Sequence, residues 1–179
     1  LRSLPACSDE CLGFAEEVMV SVKRIMPSIS ASAGLSYAFS ESIQLPSAYK
    51  EAVTALEIVR ATKDKGSCGF IGDLEVYRFL YEYPDHKSLA QMISTSIKPL
   101  LDYDKENNTE LYKTLSVVLT RAKSNHDAAG MLHIHRNTLT NHMRQIERVL
   151  SVDLEDPEQR FRLGLAVRAR SLFRDLPLA

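Results

Sequence analysis

Between Ala128 and Leu150 the chain reads AAGMLHIHRNTLTNHMRQIERVL, and this stretch holds His133, His135 and His142, three of its five histidines. It also carries Asn137, Asn141, Arg136, Arg144 and Arg148. These residue types offer two chemistries. Imidazoles ligate transition metals. Amides and guanidiniums hydrogen-bond the edges of DNA bases, Asn in pairs to adenine and Arg in pairs to guanine.

The metal chemistry needs ligands that converge. On a helix of about 100° per residue, His142 sits roughly 60° from the apolar face, while His133 and His135 fall in a turn. No Cys, Asp or Glu is placed to complete a set. We therefore expect no metal and no cofactor. His135 is expected to cap the following helix or pack at the turn, and His142 to fill the edge of a core. Cys7 and Cys11 could approach on one helical turn, but they lack two further ligands.

The base-edge chemistry fits better. With residues 136–150 on a helix, Leu139, Met143, Ile146 and Leu150 recur at steps of four, three and four. Asn137, Asn141, Arg144 and Arg148 recur at the same steps on the opposite face. Any surface helix has a polar face. This one is distinguished by the absence of acids from the outer row and the pairing of Asn with Arg. Upstream, DAAGML predicts a short helix with Ala128 and Ala129 at a close crossing, and HIH a brief turn. Short helix, tight turn and long helix make a helix-turn-helix, whose second helix enters the major groove.

Ala129, Leu132, Ile134, Leu139 and Met143 are its expected internal contacts. Arg136, Asn137, Thr140, Asn141 and Arg144 are the candidates for base edges. Lys123, Ser124, His126 and Arg148 are the candidates for phosphate, with Asn125 beside them at the start of the first helix.

Elements must position this surface within 179 residues of ordinary globular composition, 45% hydrophobic and 25% charged. The formal net charge of −1 hides an asymmetry. Residues 1–120 carry 12 Lys+Arg and 16 Asp+Glu, residues 121–179 carry 10 and 7. The basic end permits a polyanion partner without requiring one. Three cysteines, an odd number, suit reduced thiols in a cytoplasm. No apolar run reaches the roughly 18 residues of a membrane span, and no signal peptide is visible. The chain opens LRSLPACSDE without a methionine, which predicts a fragment of a longer protein.

Periodicity predicts a helix over 9–26, a strand over 30–37 with Gly34 at a close backbone approach, and a helix from 46 or 47 to about 63. The stripe of that second helix is Ala48, Tyr49, Ala52, Val53, Leu56 and Val59. A short buried strand at 67–72 and a helix capped by Asp73 follow. Only two strands are visible, few for a stable sheet, so upstream strands or a partner chain would complete the layer. A helix over 87–97 leads to PLLDYDKENNTE, whose DKENN run near 104–109 reads as an inter-domain boundary. Helices over 111–122, 126–132, 136–150 and 157–173 follow. The last is capped by Asp156 with Pro157 at its first position. It presents Phe161, Leu165 and Leu172 on one face, and its arginines are assigned chiefly to packing or solvent. The fold class is α+β: a small, incomplete α/β part and an all-α part.

The residues at 111–170 resemble the C-terminal helix-turn-helix domain of the PucR/CdaR group of bacterial transcriptional regulators. The marks are Thr114–Leu115, AAGML, IHRNTL, RQIE and DLEDPEQRFRLGLA. PLLDYD at 99–104 is similar to the segment that leads into that domain. The upstream SASAGLSYAFSESIQLPSAYKEAVTALEIV resembles the degenerate GGDEF-like domain that often precedes it. The resemblance implies a regulatory or dimerisation domain over 1–98 and a DNA-binding domain over 99–179. It implies double-stranded DNA as partner, a homodimer, a small-molecule effector sensed through an upstream domain, and a cytoplasmic location. Where the group commonly has Tyr-Arg, this chain has Asn141–His142, which removes a fixed charge and predicts a different preferred site. No GGDEF signature, Gly-rich phosphate loop or nucleophile motif occurs, so no enzyme and no catalytic residue is expected. The alternative is an effector-binding or dimerisation module that never touches DNA.

Overall fold

The computed structural model describes residues 4–174, with side chains from Asp9 onward. Cys7 thus has its side chain outside the described residues. The chain divides into two compact units at Tyr83/Pro84.

The first unit runs α1 (Leu4–Ile25), β1 (Ala33–Leu35), α2 (Leu45–Thr62), β2 (Cys68–Phe70) and α3 (Glu75–Glu82). β1 and β2 pair in parallel with Gly34 opposite Gly69, and α2 is the crossover that packs on both. The strand expected over 30–37 is therefore only three residues long. Gly34 makes the close approach expected of it. A Cβ there would run into the α2 backbone at the Ala52 carbonyl and the Leu56 nitrogen.

That approach also turns α2 away from its expected stripe. Ala48, Ala55, Ile58, Val59 and Thr54 are buried, Ala52 and Leu56 half-buried, and Tyr49 is 70% exposed with Val53 also outside. A helix held against a glycine has no room for a tyrosine at the contact. Asp73 is not the cap of α3. It lies within a 3₁₀ turn at Ile71–Leu74, and Leu74 takes the N-cap position without a side-chain bond. Ile71 and Leu74 are both buried. Their i,i+3 spacing eclipses in a 3₁₀ turn, so burying both winds the chain one residue past Asp73 before α3 begins.

The second unit is five helices: α4 (His86–Asn107), α5 (Leu111–Thr120), α6 (Asn125–Leu132), α7 (Arg136–Leu150) and α8 (Pro157–Leu172). Asp85 caps α4, accepting the Ser88 N–H at 3.0 Å. α4 then runs on through Pro99, past the expected end at 97 and across the 98/99 division. Proline inside a helix costs about 3 kcal/mol. Here Pro99 is exposed, while Leu89, Ile93, Ile97 and Leu100 on the other side are all buried. Each buried aliphatic side chain contributes roughly 1.5–3 kcal/mol, so the continuing stripe outweighs the missing hydrogen bond.

The DKENN run is the last turn of α4 rather than a linker. Asp104 reaches forward from it and accepts the N–H groups of Leu111 and Tyr112, each at 2.8 Å, so α4 caps α5. Asp156 caps α8 as expected, accepting from Glu158 and Gln159 with Pro157 next in line. The buried face of α8 differs from the expected one. Leu163, Gly164, Ala166, Val167 and Ala169 are inside, Leu165 and Leu172 half-buried, and Phe161 is 65% exposed. α8 packs against α4 and α5, and it does so with Leu163, Ala166 and Val167 buried while Phe161 stays outside.

Candidate nucleic-acid interface

α6 and α7 start where local chemistry dictates. Ser124 accepts the Asp127 N–H at 3.2 Å, and Asp127 in return accepts the Lys123 N–H at 2.9 Å. This reciprocal pair satisfies two donors at the helix entry, in the manner of a capping box. α6 ends at His133, which is left-handed with φ 54°. The Ile134 N–H returns to the Ala129 carbonyl at 3.1 Å and the His133 N–H to Gly130, a Schellman-type stop built without glycine. His135 then caps α7, its Nδ1 accepting the Asn137 N–H at 3.2 Å. The turn between the helices is three residues, 133–135.

Ala128 and Ala129 of α6 and Leu139 of α7 form one buried cluster with Val118 of α5, flanked by Leu132, Ile134 and Met143. The five contacts expected inside the helix-turn-helix all belong to it. Val117, Val118 and Ala122 complete the cluster from α5 and the residues after it. Behind α7, Ile146 is fully buried, Gln145 donates to the Tyr103 hydroxyl at 2.7 Å, and His142 Nδ1 lies 3.0 Å from the buried Thr114 hydroxyl. His142 thus sits at the edge of the core, off the outer row. Among the described residues no three His, Cys, Asp or Glu side chains gather as a metal group.

The outer face of α7 is free. Arg136, Asn137, Thr140, Asn141, Arg144 and Arg148 are all exposed. None of the three arginines joins an ion pair among the described residues. Thr140 donates its hydroxyl to the Arg136 carbonyl at 3.1 Å, so it keeps only an acceptor and a methyl for any partner. Thr138 is exposed as well. It lies about 90° from the centre of the outer row by the 100° helical arithmetic, on its flank. Lys123, Ser124 and His126 are exposed at the start of α6, and Arg148 is exposed in the last turn of α7.

The arginines of α8 behave differently. Arg168 donates to the Leu119 carbonyl in the last turn of α5 and to the Gly164 carbonyl. Arg160 donates to the Leu154 carbonyl and Arg170 to the Phe173 carbonyl. They close helix ends and the 151–156 connection.

Comparison with known proteins bears on this geometry. Residues 111–169 match the PucR C-terminal helix-turn-helix domain. The chain is 30% identical over 136 residues to the proline-responsive transcriptional activator PutR of Bacillus subtilis, covering 74% of this chain and 32% of that protein. It is 23% identical over 125 residues to the DNA-binding transcriptional activator AdeR of the same organism, covering 69% and 30%. It is 28% identical over 159 residues to the purine catabolism regulatory protein, again of Bacillus subtilis, covering 89% and 29%. The chain spans about a third of the length of these relatives. No solved structure matches it. Over 111–169, with its capped entries, three-residue turn and outward amide and guanidinium row, this chain carries a helix-turn-helix domain of the PucR C-terminal type.

Proposed function

We propose that this chain is part of a bacterial, cytoplasmic transcription regulator and binds duplex DNA in a sequence-specific way through α7. The observation that carries this reading is the exposed row of Asn137, Asn141, Arg144 and Arg148, acid-free and without internal ion pairs, on the second helix of a helix-turn-helix. Two of the relatives are named as transcriptional activators and a third as a regulatory protein. Among the described residues no helix is long and apolar enough to cross a membrane.

Arg136, Asn137, Thr140, Asn141 and Arg144 take the base edges. Arginine and asparagine supply paired hydrogen bonds, and Thr140 an acceptor and a methyl. Lys123, Ser124, His126 and Arg148 take phosphates. Ser124 suits that role because its oxygen accepts the Asp127 N–H while its own proton remains available. No bond is made or broken in this work, and no cofactor takes part.

Two such domains in a homodimer engage two half-sites about one helical turn apart. An effector sensed upstream sets their spacing, and the first unit, with its parallel β1–α2–β2 arrangement, is the GGDEF-like regulatory and dimerisation part.

The test is selection of bound duplexes from a random library, beside an Asn141→Ala/Arg144→Ala variant checked by circular dichroism. Enrichment of a motif by the parent chain and its loss in the folded variant is the expected result. If neither enriches a motif at low salt while both are dimeric, the outer face of α7 serves a protein partner instead.

A further inference from the structure

Three of the four lysines before Pro84, Lys23, Lys63 and Lys65, line one cavity of about 510 Å³ in the first unit. Residues 1–83 as a whole are acidic, with 8 Lys+Arg against 11 Asp+Glu. The concentration therefore runs against the charge of its surroundings. Lys23 comes from the last turn of α1, Lys63 and Lys65 from the connection between α2 and β2.

None of the three has a carboxylate within ion-pair distance among the described residues. Lys63 donates to the Cys68 carbonyl at 2.9 Å, which holds its ammonium at the cavity wall with two donors left over. Glu16 is the carboxylate of the lining, and it is engaged by sulfur: the Cys68 thiol donates to its Oε1 at 3.7 Å. Burial of that thiol and the charge of Glu16 push its pKa upward, which keeps the proton on sulfur and the hydrogen bond made.

Three ammoniums stand against one carboxylate in the lining. Like charges gathered at one half-open cavity repel, and an anion that enters between them relieves that repulsion. The remaining wall is apolar at Met19, Val20 and Ile29 and offers hydroxyls at Ser30 and Ser67. The volume falls in the range of small-molecule sites, about 300–1,000 Å³.

We propose that this cavity binds a small organic dianion with a short apolar body, a dicarboxylate or a phosphate monoester, between Lys23, Lys63 and Lys65. Every group it uses lies in the first unit, so it stands or falls apart from DNA binding.

The experiment is calorimetric titration and thermal melting of the whole 179-residue chain at constant ionic strength. Succinate and methyl phosphate are the dianion probes, and succinamide is the neutral counterpart. At least one dianion is expected to bind and to raise the melting temperature, and succinamide to do neither. Lys23→Gln/Lys65→Gln, which removes two exposed side chains, is expected to leave the ligand-free melt unchanged and weaken binding by about tenfold or more. Binding of succinate alone identifies the carboxylate form of the ligand, and binding of methyl phosphate alone the phosphate form. An equal response to succinamide, a response retained by the double variant, or no response to either dianion up to millimolar concentration overturns the proposal.

Discussion

Glu147, near the end of α7, accepts the backbone N–H of Leu154 at 3.1 Å, and Leu154 is 2% exposed. The bond ties the end of α7 to the connection that leads into α8. It explains why a glutamate three residues before the helix end and a leucine just after it form part of one pattern. Removing the acceptor strands a buried donor, which costs about 1–3 kcal/mol. Glu147→Ala is therefore expected to lower stability by that amount in urea unfolding. Glu147→Gln, which keeps an acceptor oxygen, is expected to lose less than half as much. Equal losses in both variants would show that the bond contributes nothing specific.

Arg144 and Arg148 are both exposed on α7, one turn apart, and are assigned different tasks. Arg144→Ala is expected to weaken binding to the selected motif by about 1–3 kcal/mol and to relax the preference at one position. Arg148→Ala is expected to weaken binding alike on every sequence and to reduce the slope of log K against log salt by about 1. Titration of selected and scrambled duplexes at several salt concentrations separates the two. The assignment fails if the variants exchange these signatures.

Ser151 ends α7 in the left-handed region, with φ 53° and ψ 48°. It is exposed there, and the Val152 N–H returns to the Glu147 carbonyl at 3.1 Å. A non-glycine residue is strained in this conformation. Ser151→Gly is expected to stabilise the second unit by about 0.5–1 kcal/mol, after the entropy that glycine adds to the unfolded chain. A denaturation midpoint that stays still or falls in the variant contradicts this.

Asp156 titrates below the ordinary aspartate range. The Gln159 N–H is the main cause, joined by the Gln159 side chain, the Glu158 N–H and the nearby Arg162 charge. Asp85 shifts the same way, through the Ser88 hydroxyl and then the Ser88 N–H. A carboxylate whose folded pKa is depressed adds stability that is present above its unfolded value. That stability is lost as pH falls through the folded one. The window lies below about pH 4. Asp85→Asn/Asp156→Asn keeps an acceptor at each cap but removes the titration. Its unfolding midpoint is expected to fall less than the parent's between pH 5 and pH 3. A parallel fall in both proteins speaks against the caps as the source.

Much of the second unit was legible before its structure, because its signals are local. A helix start needs an acceptor two or three residues ahead of its free N–H groups, and Asp156 with Pro157 announces one in two letters. The 3.6-residue period of α7 placed Leu139 and Ile146 inside and Asn141 and Arg144 outside, and burial agrees at each position. Small residues at Ala128 and Ala129 announced the crossing of α6 and α7. The outer row needed no tertiary information, since a helix with one face held must show the other.

What the tertiary structure alone decided is where two segments compete for one position. Pro99 and the DKENN run look like an ending, and only the buried stripe from Leu89 to Leu100 and the reach of Asp104 to α5 make them helix interior and cap. Tyr49 and Phe161 look like core, but Gly34 brings the α2 backbone too close for a ring, and α8 buries Leu163, Ala166 and Val167 instead of Phe161. Gln145 is a polar residue with no assigned role in the pattern of α7, and only the Tyr103 hydroxyl behind the helix gives it one. Each outcome depends on a partner in another element, and a pattern read along one helix carries no information about the surface it will meet.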